Sequence, residues 1–128
     1  MSDDGADRPR ALVALEEGQL EEYPWGRIRW FANAGLGGSE RLTVGRVDIQ
    51  PHRENPKHFH PNCDEVVYLL SGHITHLVGD ESFPMHTGDA IVIPEGVLHQ
   101  AVNDGDQPAE LLVTYDTGRR ETVFEDQG

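Results

Sequence analysis

From Trp25 onward, the chain alternates short runs of valine, isoleucine, leucine and aromatic residues with glycine, proline, asparagine and aspartate. Residues of the first kind favour strands, and those of the second kind favour the tight turns between them. No long stretch has the 3.6-residue periodicity of an amphipathic helix. The pattern therefore predicts an all-β fold, an antiparallel sandwich or barrel. Nine strands are predicted, at residues 25–32, 41–49, 57–60, 65–70, 73–78, 82–85, 90–93, 98–102 and 110–116.

The length of 128 residues fits a single domain with one hydrophobic core. We expect residues 1–24 to form an N-terminal segment that is partly disordered, because its first ten residues are polar and acidic. Its second half, residues 11–24, fits either a short edge strand or a helical turn, which Pro24 ends. Residues 25–116 are expected to form the β-barrel, and residues 117–128 a peripheral tail.

The charge balance limits the classes of partner. Ten basic residues face twenty-three acidic ones, which gives a formal net charge of −13. Such a surface repels phosphate groups and anionic lipids, so we expect neither nucleic acid nor a membrane as a partner. No apolar run approaches the ~18–20 residues that cross a bilayer, and the acidic N-terminus lacks the layout of a secretory signal. A cytoplasmic protein is the resulting expectation.

Two histidines stand one residue apart in the segment KHFHPNCDEVVYLLSG, which starts at residue 57. On a strand, His58 and His60 point to the same side, and a hairpin return can bring Glu65 opposite them. His99, at the start of a later strand, is a fourth candidate. Three imidazoles and one carboxylate suit one divalent transition metal (Fe, Mn, Ni or Zn) with positions left for water or substrate. The alternative is a group of ordinary polar residues near a barrel mouth.

The spacing of these residues also resembles a known family. The pattern H-x-H-x4-E-x6-G over residues 58–72 is similar to the first cupin motif, and G-x5-P-x-G-x2-H-x3-N over residues 88–103 is similar to the second. One position departs from the family: His52 stands where the first motif usually begins with glycine. The resemblance implies a small antiparallel, jelly-roll-like β-barrel that holds the metal inside and acts on a small molecule. It also implies a homodimer.

The first motif is similar to that of germin-like cupins, which carries N-P-x-H-x-H-P. Asn55 matches the asparagine of that motif, and the resemblance implies that it contacts substrate. The alternative is that Asn55 shapes the turn before Pro56. Counting inward-facing positions from Glu65 gives Val67 and Leu69, which predicts a partly apolar pocket beside the metal.

Two further residues are candidates for substrate binding. Tyr115 lies on the last predicted strand and either donates a hydrogen bond to substrate or is a core tyrosine. Arg46 either anchors an anionic substrate or pairs with an acid such as Asp48 at the surface. We expect His76, on the middle hairpin, to be exposed or structural, and Phe124 to dock on a partner strand or subunit.

The leading hypothesis is a metal-dependent cupin enzyme that acts on a small, oxygen-bearing organic substrate. The germin-like motif favours a dioxygenase or oxidase. A metal-dependent isomerase or lyase of a sugar or small acid is an alternative, and so is a non-catalytic small-molecule-binding cupin. Val67 stands where lyases of the family that cleave dimethylsulfoniopropionate carry a tyrosine, and Gly45 stands near the position of a second asparagine of the oxalate-oxidising germins. The residues therefore disfavour both of those activities.

Overall fold

The structure of the chain, a computed structural model, describes residues 12–125. Two antiparallel sheets face each other, and a single 3₁₀ turn, Leu15–Glu17, precedes them. The strands are β1 (Gln19–Tyr23), β2 (Gly26–Ala32), β3 (Thr43–Ile49), β4 (Arg53–Glu54), β5 (His58–Phe59), β6 (Glu65–Ser71), β7 (His73–Val78), β8 (Glu81–His86), β9 (Ala90–Ile93), β10 (His99–Asn103), β11 (Ala109–Tyr115) and β12 (Val123–Phe124). The first sheet has the order β1-β2-β3-β11-β6-β9, and the second has the order β12-β5-β10-β7-β8, with β4 beside β10.

The all-β, jelly-roll-like prediction is confirmed, and every predicted strand is present with small changes at its ends. Three short strands lie outside the nine predicted ones. The ambiguous stretch before Pro24 contains both a turn and an edge strand, β1. β4 falls in a segment interpreted as a turn, and β12 falls in the tail. The predicted disorder of the first ten residues lies outside the described part of the chain.

The core forms because three neighbouring strands of the first sheet alternate strictly between buried and less buried positions. β3 buries Val47 and Ile49, β6 buries Val67 and Leu69, and β11 buries alternate residues in the same way. Period-two alternation puts all these side chains on the inner face, where they meet the second sheet. Gly45 lies on the same inner face, where no larger residue fits, because a Cβ there would lie 2.4 Å from the indole ring of Trp30.

His52 occupies the turn where the family motif has glycine. Its φ of 61° lies in the left-handed region that glycine adopts most readily. The imidazole Nε2 lies 3.0 Å from a carboxylate oxygen of Asp106, so the side chain has a polar contact in this conformation. The turn is therefore kept without the glycine, and β4 and β5 follow it.

The tail folds back along the barrel. The backbone N–H of Gly118 donates to the carbonyl of Glu40 at 2.9 Å, and β12 pairs with β5 so that Phe124 lies opposite His58. Phe124, expected to dock on a partner strand or subunit, therefore packs on a strand of its own chain. No helix among residues 12–125 has the length and hydropathy that crossing a membrane requires.

Candidate metal centre

Three histidines and one glutamate converge between the two sheets. β5 and the residue after it supply His58 and His60, β10 begins with His99, and His99 lies directly opposite His58 in the strand register. Glu65, the first residue of β6, reaches the group from the other sheet. One ligand atom from each of the four residues lies within 4.8 Å of the others. The structure thus brings the four predicted ligands together.

Backbone carbonyls fix the orientation of all three imidazoles. The Nδ1 atoms of His58, His60 and His99 lie 2.8, 2.8 and 2.9 Å from carbonyl oxygens of Pro56, Glu121 and Val97. A carbonyl only accepts, so each Nδ1 carries the proton and donates. In its neutral form, each ring therefore presents an unprotonated Nε2, which is the usual arrangement of metal-binding histidines.

The atoms that face the centre of the group are all hydrogen-bond acceptors without donors. Oε1 of Glu65 lies 3.4 Å from Nε2 of His60 and 3.0 Å from Nε2 of His99. All three atoms are buried, and none has a hydrogen-bond partner in the described part of the chain. Lone pairs held this close repel one another unless a cation lies between them. Three nitrogens and one carboxylate oxygen fit a first-row divalent metal, so the donor set and its geometry agree.

The ionisation states match those of metal ligands. Burial, together with the neighbouring His99, lowers the pKa of His58 to about 4, so this imidazole is neutral near pH 7. Burial alone would raise the pKa of Glu65, but hydrogen-bond donation and positive charge from the positions of His60 and His99 outweigh it and hold that pKa well below its usual range, and a cation between these groups would have the same effect. Metal binding requires neutral imidazole and ionised carboxylate, and no proton has to leave these two groups first.

A cavity of about 300 Å³ opens onto the four residues. Its walls are largely apolar and carry five aromatic side chains: Tyr23, Trp25, Trp30, Tyr115 and Phe124. Such a mostly apolar space with a few polar groups is typical of a small-molecule site. A ligand in the cavity would lie directly beside the histidine–glutamate group.

Three of the five residues predicted to contact substrate line this cavity, namely Asn55, Val67 and Tyr115. Asn55 is also held by β10, since its side-chain oxygen accepts from the backbone N–H of Ala101 at 2.9 Å. Tyr115 donates to Oε2 of Glu65 at 2.9 Å, so its hydroxyl orients the carboxylate. Both residues thus have a structural hydrogen bond in addition to their place in the wall.

The other two, Arg46 and Leu69, do not line the cavity. Arg46 lies on the outer face of β3, because its neighbours Gly45 and Val47 take the inner positions, and it forms ion pairs with Asp48 and Glu110. Of the two roles considered for Arg46, the structure therefore contains the surface ion pair and not a contact with the cavity. Leu69 does face inward, as counted from Glu65, but it lies fully buried in the core, away from the cavity wall.

His76 and Arg120 are among the polar residues of the cavity that were missed. His76, expected to be exposed or structural, is 3% exposed and lines the cavity, with its ring 5.9 Å from that of His99. The sequence did contain a sign that His76 is buried, because His76 and Ile74 alternate onto the same face of β7. Arg120 enters the cavity from the tail. The position of Arg120 could not be predicted, because no local sequence pattern indicates where an irregular segment packs.

A small β-barrel whose two sheets hold a three-histidine, one-glutamate group defines the class of protein. A family model described as a cupin domain matches residues 45–115, more than half of the chain, so the chain belongs to the cupin family. The two sequence motifs had predicted this membership.

Germin-like protein 1 of Brassica napus is 35% identical to the chain over 108 residues. The match covers 80% of the chain but 47% of the relative, so the chain spans about half the length of that protein. Among solved structures, the oxalate decarboxylase of Bacillus subtilis, described with Mn(II) centres, has a TM-score of 0.81 at 24% identity and matches 88% of this chain and 31% of its own. An oxalate oxidase in complex with the substrate analogue glycolate has a TM-score of 0.74 at 24% identity and matches 80% and 57%. At these identities, the likeness to the two structures shows the fold.

Proposed function

We propose that the chain is a metal-dependent cupin enzyme of the oxidase or dioxygenase type. His58, His60, Glu65 and His99 would hold one divalent transition metal, and a small oxygen-bearing organic molecule would bind in the adjoining cavity. The observation that carries the proposal is the set of buried acceptor atoms that face one another without donors. No rearrangement of protein groups is needed to accept a cation there.

The metal would supply a redox-active Lewis acid that has coordination positions open to substrate or dioxygen. The chain itself supplies the rest. Carbonyl groups fix the imidazole rings, Tyr115 fixes the carboxylate, and the apolar walls exclude water from the reacting molecule. A substrate oxygen that faces the group would be held in one orientation by these walls.

Of the four candidate metals, we propose Mn(II) or Fe(II). Both are redox-active and accept the five or six ligands that leave room for substrate, whereas Zn(II) has no redox chemistry. The described Mn(II) centres of a cupin with the same fold support Mn(II) as the first metal to test. The oxalate oxidase of the same fold supports oxidase-type chemistry over isomerisation.

The test begins with untagged protein, loaded with Mn(II) or Fe(II) and analysed for bound metal. Oxygen uptake is then followed with a panel of hydroxy acids, keto acids, diketones and flavonols. We expect one metal per chain and uptake with at least one class of substrate. His58→Ala should lose the metal, whereas His86→Ala, which changes an exposed histidine on β8, should keep it.

Full occupancy in the His58→Ala variant would overturn the assignment of the metal site. Metal binding together with ligand binding, but without oxygen uptake or product, would instead favour a non-catalytic binding protein. The two results concern separate parts of the proposal, so the experiment identifies which part fails.

A further inference from the structure

We propose that Arg120 selects the substrate: the cavity binds a small organic acid whose carboxylate pairs with this guanidinium, while a second oxygen faces the histidine–glutamate group. The contact of the second oxygen with the histidine–glutamate group rests on the proposed function, whereas the pairing of the carboxylate with Arg120 does not. Arg120 belongs to no cupin motif, since it lies in the segment between β11 and β12. Its position in the wall is the starting observation.

The guanidinium is held in place by aromatic rings. Its Cζ atom lies 4.3 Å from the ring centroid of Trp30 and 5.3 Å from that of Tyr115. Nη1 donates to the hydroxyl of Thr122. Stacking on two rings fixes the plane of the guanidinium and leaves most of its five N–H donors for other partners. The side chain is therefore fixed before any ligand binds.

Within residues 12–125, Arg120 has no acidic partner and forms no ion pair, although the chain has twenty-three acidic residues and ten basic ones. Three of the other six arginines in this range are paired: Arg27 with Asp48, Arg46 with Glu110, and the adjacent Arg119 with Glu40.

The two acids of the cavity already have other contacts. Glu65 accepts from Tyr115 and faces the imidazoles, and Glu21 accepts from the hydroxyl of Tyr23 at 2.9 Å. A half-buried guanidinium with no ion pair in the described part of a strongly acidic protein is a prepared site for an anion that comes from outside. Carboxylate is the small organic anion that matches its planar fork in bidentate fashion.

The cation lies one side chain away from the candidate metal ligands. Thr122, which accepts from Arg120, has its hydroxyl 3.2 Å from Nδ1 of His60. The ring of Tyr115 packs against both residues, 4.9 Å from the ring of His60. Arg120 and the four candidate ligands line the same cavity, so a compact molecule in it can contact the guanidinium and the cluster at once. A hydroxyl, keto or second carboxylate oxygen next to the first carboxylate would contact the histidine–glutamate group. The aromatic walls would cover the carbon skeleton of the bound acid.

The test uses mandelate and its neutral amide, mandelamide, as probes. Both carry a hydroxyl beside the acid or amide group and a phenyl ring suited to the apolar walls, and only mandelate is anionic. Their dissociation constants are measured by calorimetry on the Mn(II)-loaded and the metal-free protein. We expect the wild type to prefer mandelate by about tenfold or more, in keeping with a charge-assisted bidentate contact.

Three variants separate a substrate contact from a structural role. Arg120→Gln removes the charge and should abolish the preference for mandelate, whereas Arg120→Lys, which keeps the charge but not the fork, should retain part of it. Arg119→Gln, a change at the exposed neighbouring arginine, should leave the preference unchanged. Metal content and melting temperature are recorded for each variant. A purely structural Arg120 would change binding of both probes equally.

Two outcomes would overturn the inference. One is an Arg120→Gln variant that still prefers mandelate as strongly as the wild type. The other is a preference that exists only with metal and disappears in the metal-free wild type, because the carboxylate would then bind the metal instead of the guanidinium. If the chain binds no Mn(II), the proposed function fails, but the preference of the metal-free protein still tests Arg120.

Discussion

At the scale of single residues, Tyr115 determines which oxygen of Glu65 faces the cluster. Its hydroxyl donates to Oε2 at 2.9 Å, while Oε1 remains beside the imidazoles. Burial, with the adjacent carboxylate, raises the pKa of Tyr115 well above its ordinary value, so the hydroxyl keeps its proton as a donor. We expect Tyr115→Phe to weaken Mn(II) binding by about 10- to 100-fold, as is usual when a ligand loses its supporting hydrogen bond.

Competition with a chelator of known affinity measures that change. Tyr68→Phe is the matched control, because Tyr68 lies on the exposed outer face of β6, the same strand that carries Glu65. The control should bind Mn(II) like the wild type. Unchanged affinity in Tyr115→Phe would mean that the strand alone orients the carboxylate.

At the scale of elements, the tail completes the site. The carbonyl of Glu121 accepts from Nδ1 of His60 at 2.8 Å, and β12 pairs with the strand that carries His58. A chain that ends at Gly118 retains both sheets apart from β12 but loses this carbonyl. We expect it to fold and to bind Mn(II) at least about tenfold more weakly, since His60 loses the acceptor that fixes its tautomer.

Circular dichroism checks the fold of the shortened chain, and chelator competition checks its metal affinity. A chain that ends at Glu125 is the control and should bind Mn(II) normally. If the chain that ends at Gly118 binds equally well, the tail has no part in holding the metal ligands.

The same elements explain how much could be read from the sequence. β3, β6 and β11 were predicted because period-two alternation over seven residues is a strong local signal. Of the candidate metal ligands, Glu65 begins such a strand, and the three histidines were predicted from their spacing in the family motifs. β12 has two residues and pairs with a strand more than sixty positions earlier, so no local pattern could predict it. The place of Arg120 in the cavity depends on that pairing and was missed for the same reason.

At the scale of the whole molecule, the half-buried His58 and the buried His76 link stability to pH. Burial is the main cause that lowers the pKa of both His58 and His76 from 6.5 to about 4. In the unfolded chain both protonate near pH 6.5, so between about pH 6.5 and 4 the unfolded state binds more protons than the folded one. The stabilising contribution is complete above pH 6.5 and is lost as the pH falls toward 4, by up to about 1.4 kcal/mol per pH unit for each histidine.

Urea unfolding of the metal-free protein at several pH values measures this loss. His76→Leu removes one of the two groups and should reduce the slope in this window by about half, whereas His86→Leu, at an exposed position, should not alter it. A slope that is the same in His76→Leu and the wild type would show that His76 does not resist protonation in the folded state.

Metal binding should act on the whole barrel, because its ligands come from β5, β6 and β10 and are oriented by the tail. The unfolded chain cannot gather them, so Mn(II) at about 100 times its dissociation constant should raise the free energy of unfolding by about 2.7 kcal/mol. Protons compete with the metal for His58 in the folded protein, whose pKa is about 4, so this gain should shrink as the pH falls toward 4. Unfolding curves with and without chelator measure the gain, and His58→Ala should reduce it. A gain that does not depend on pH would mean that the cation stabilises the protein elsewhere on its acidic surface.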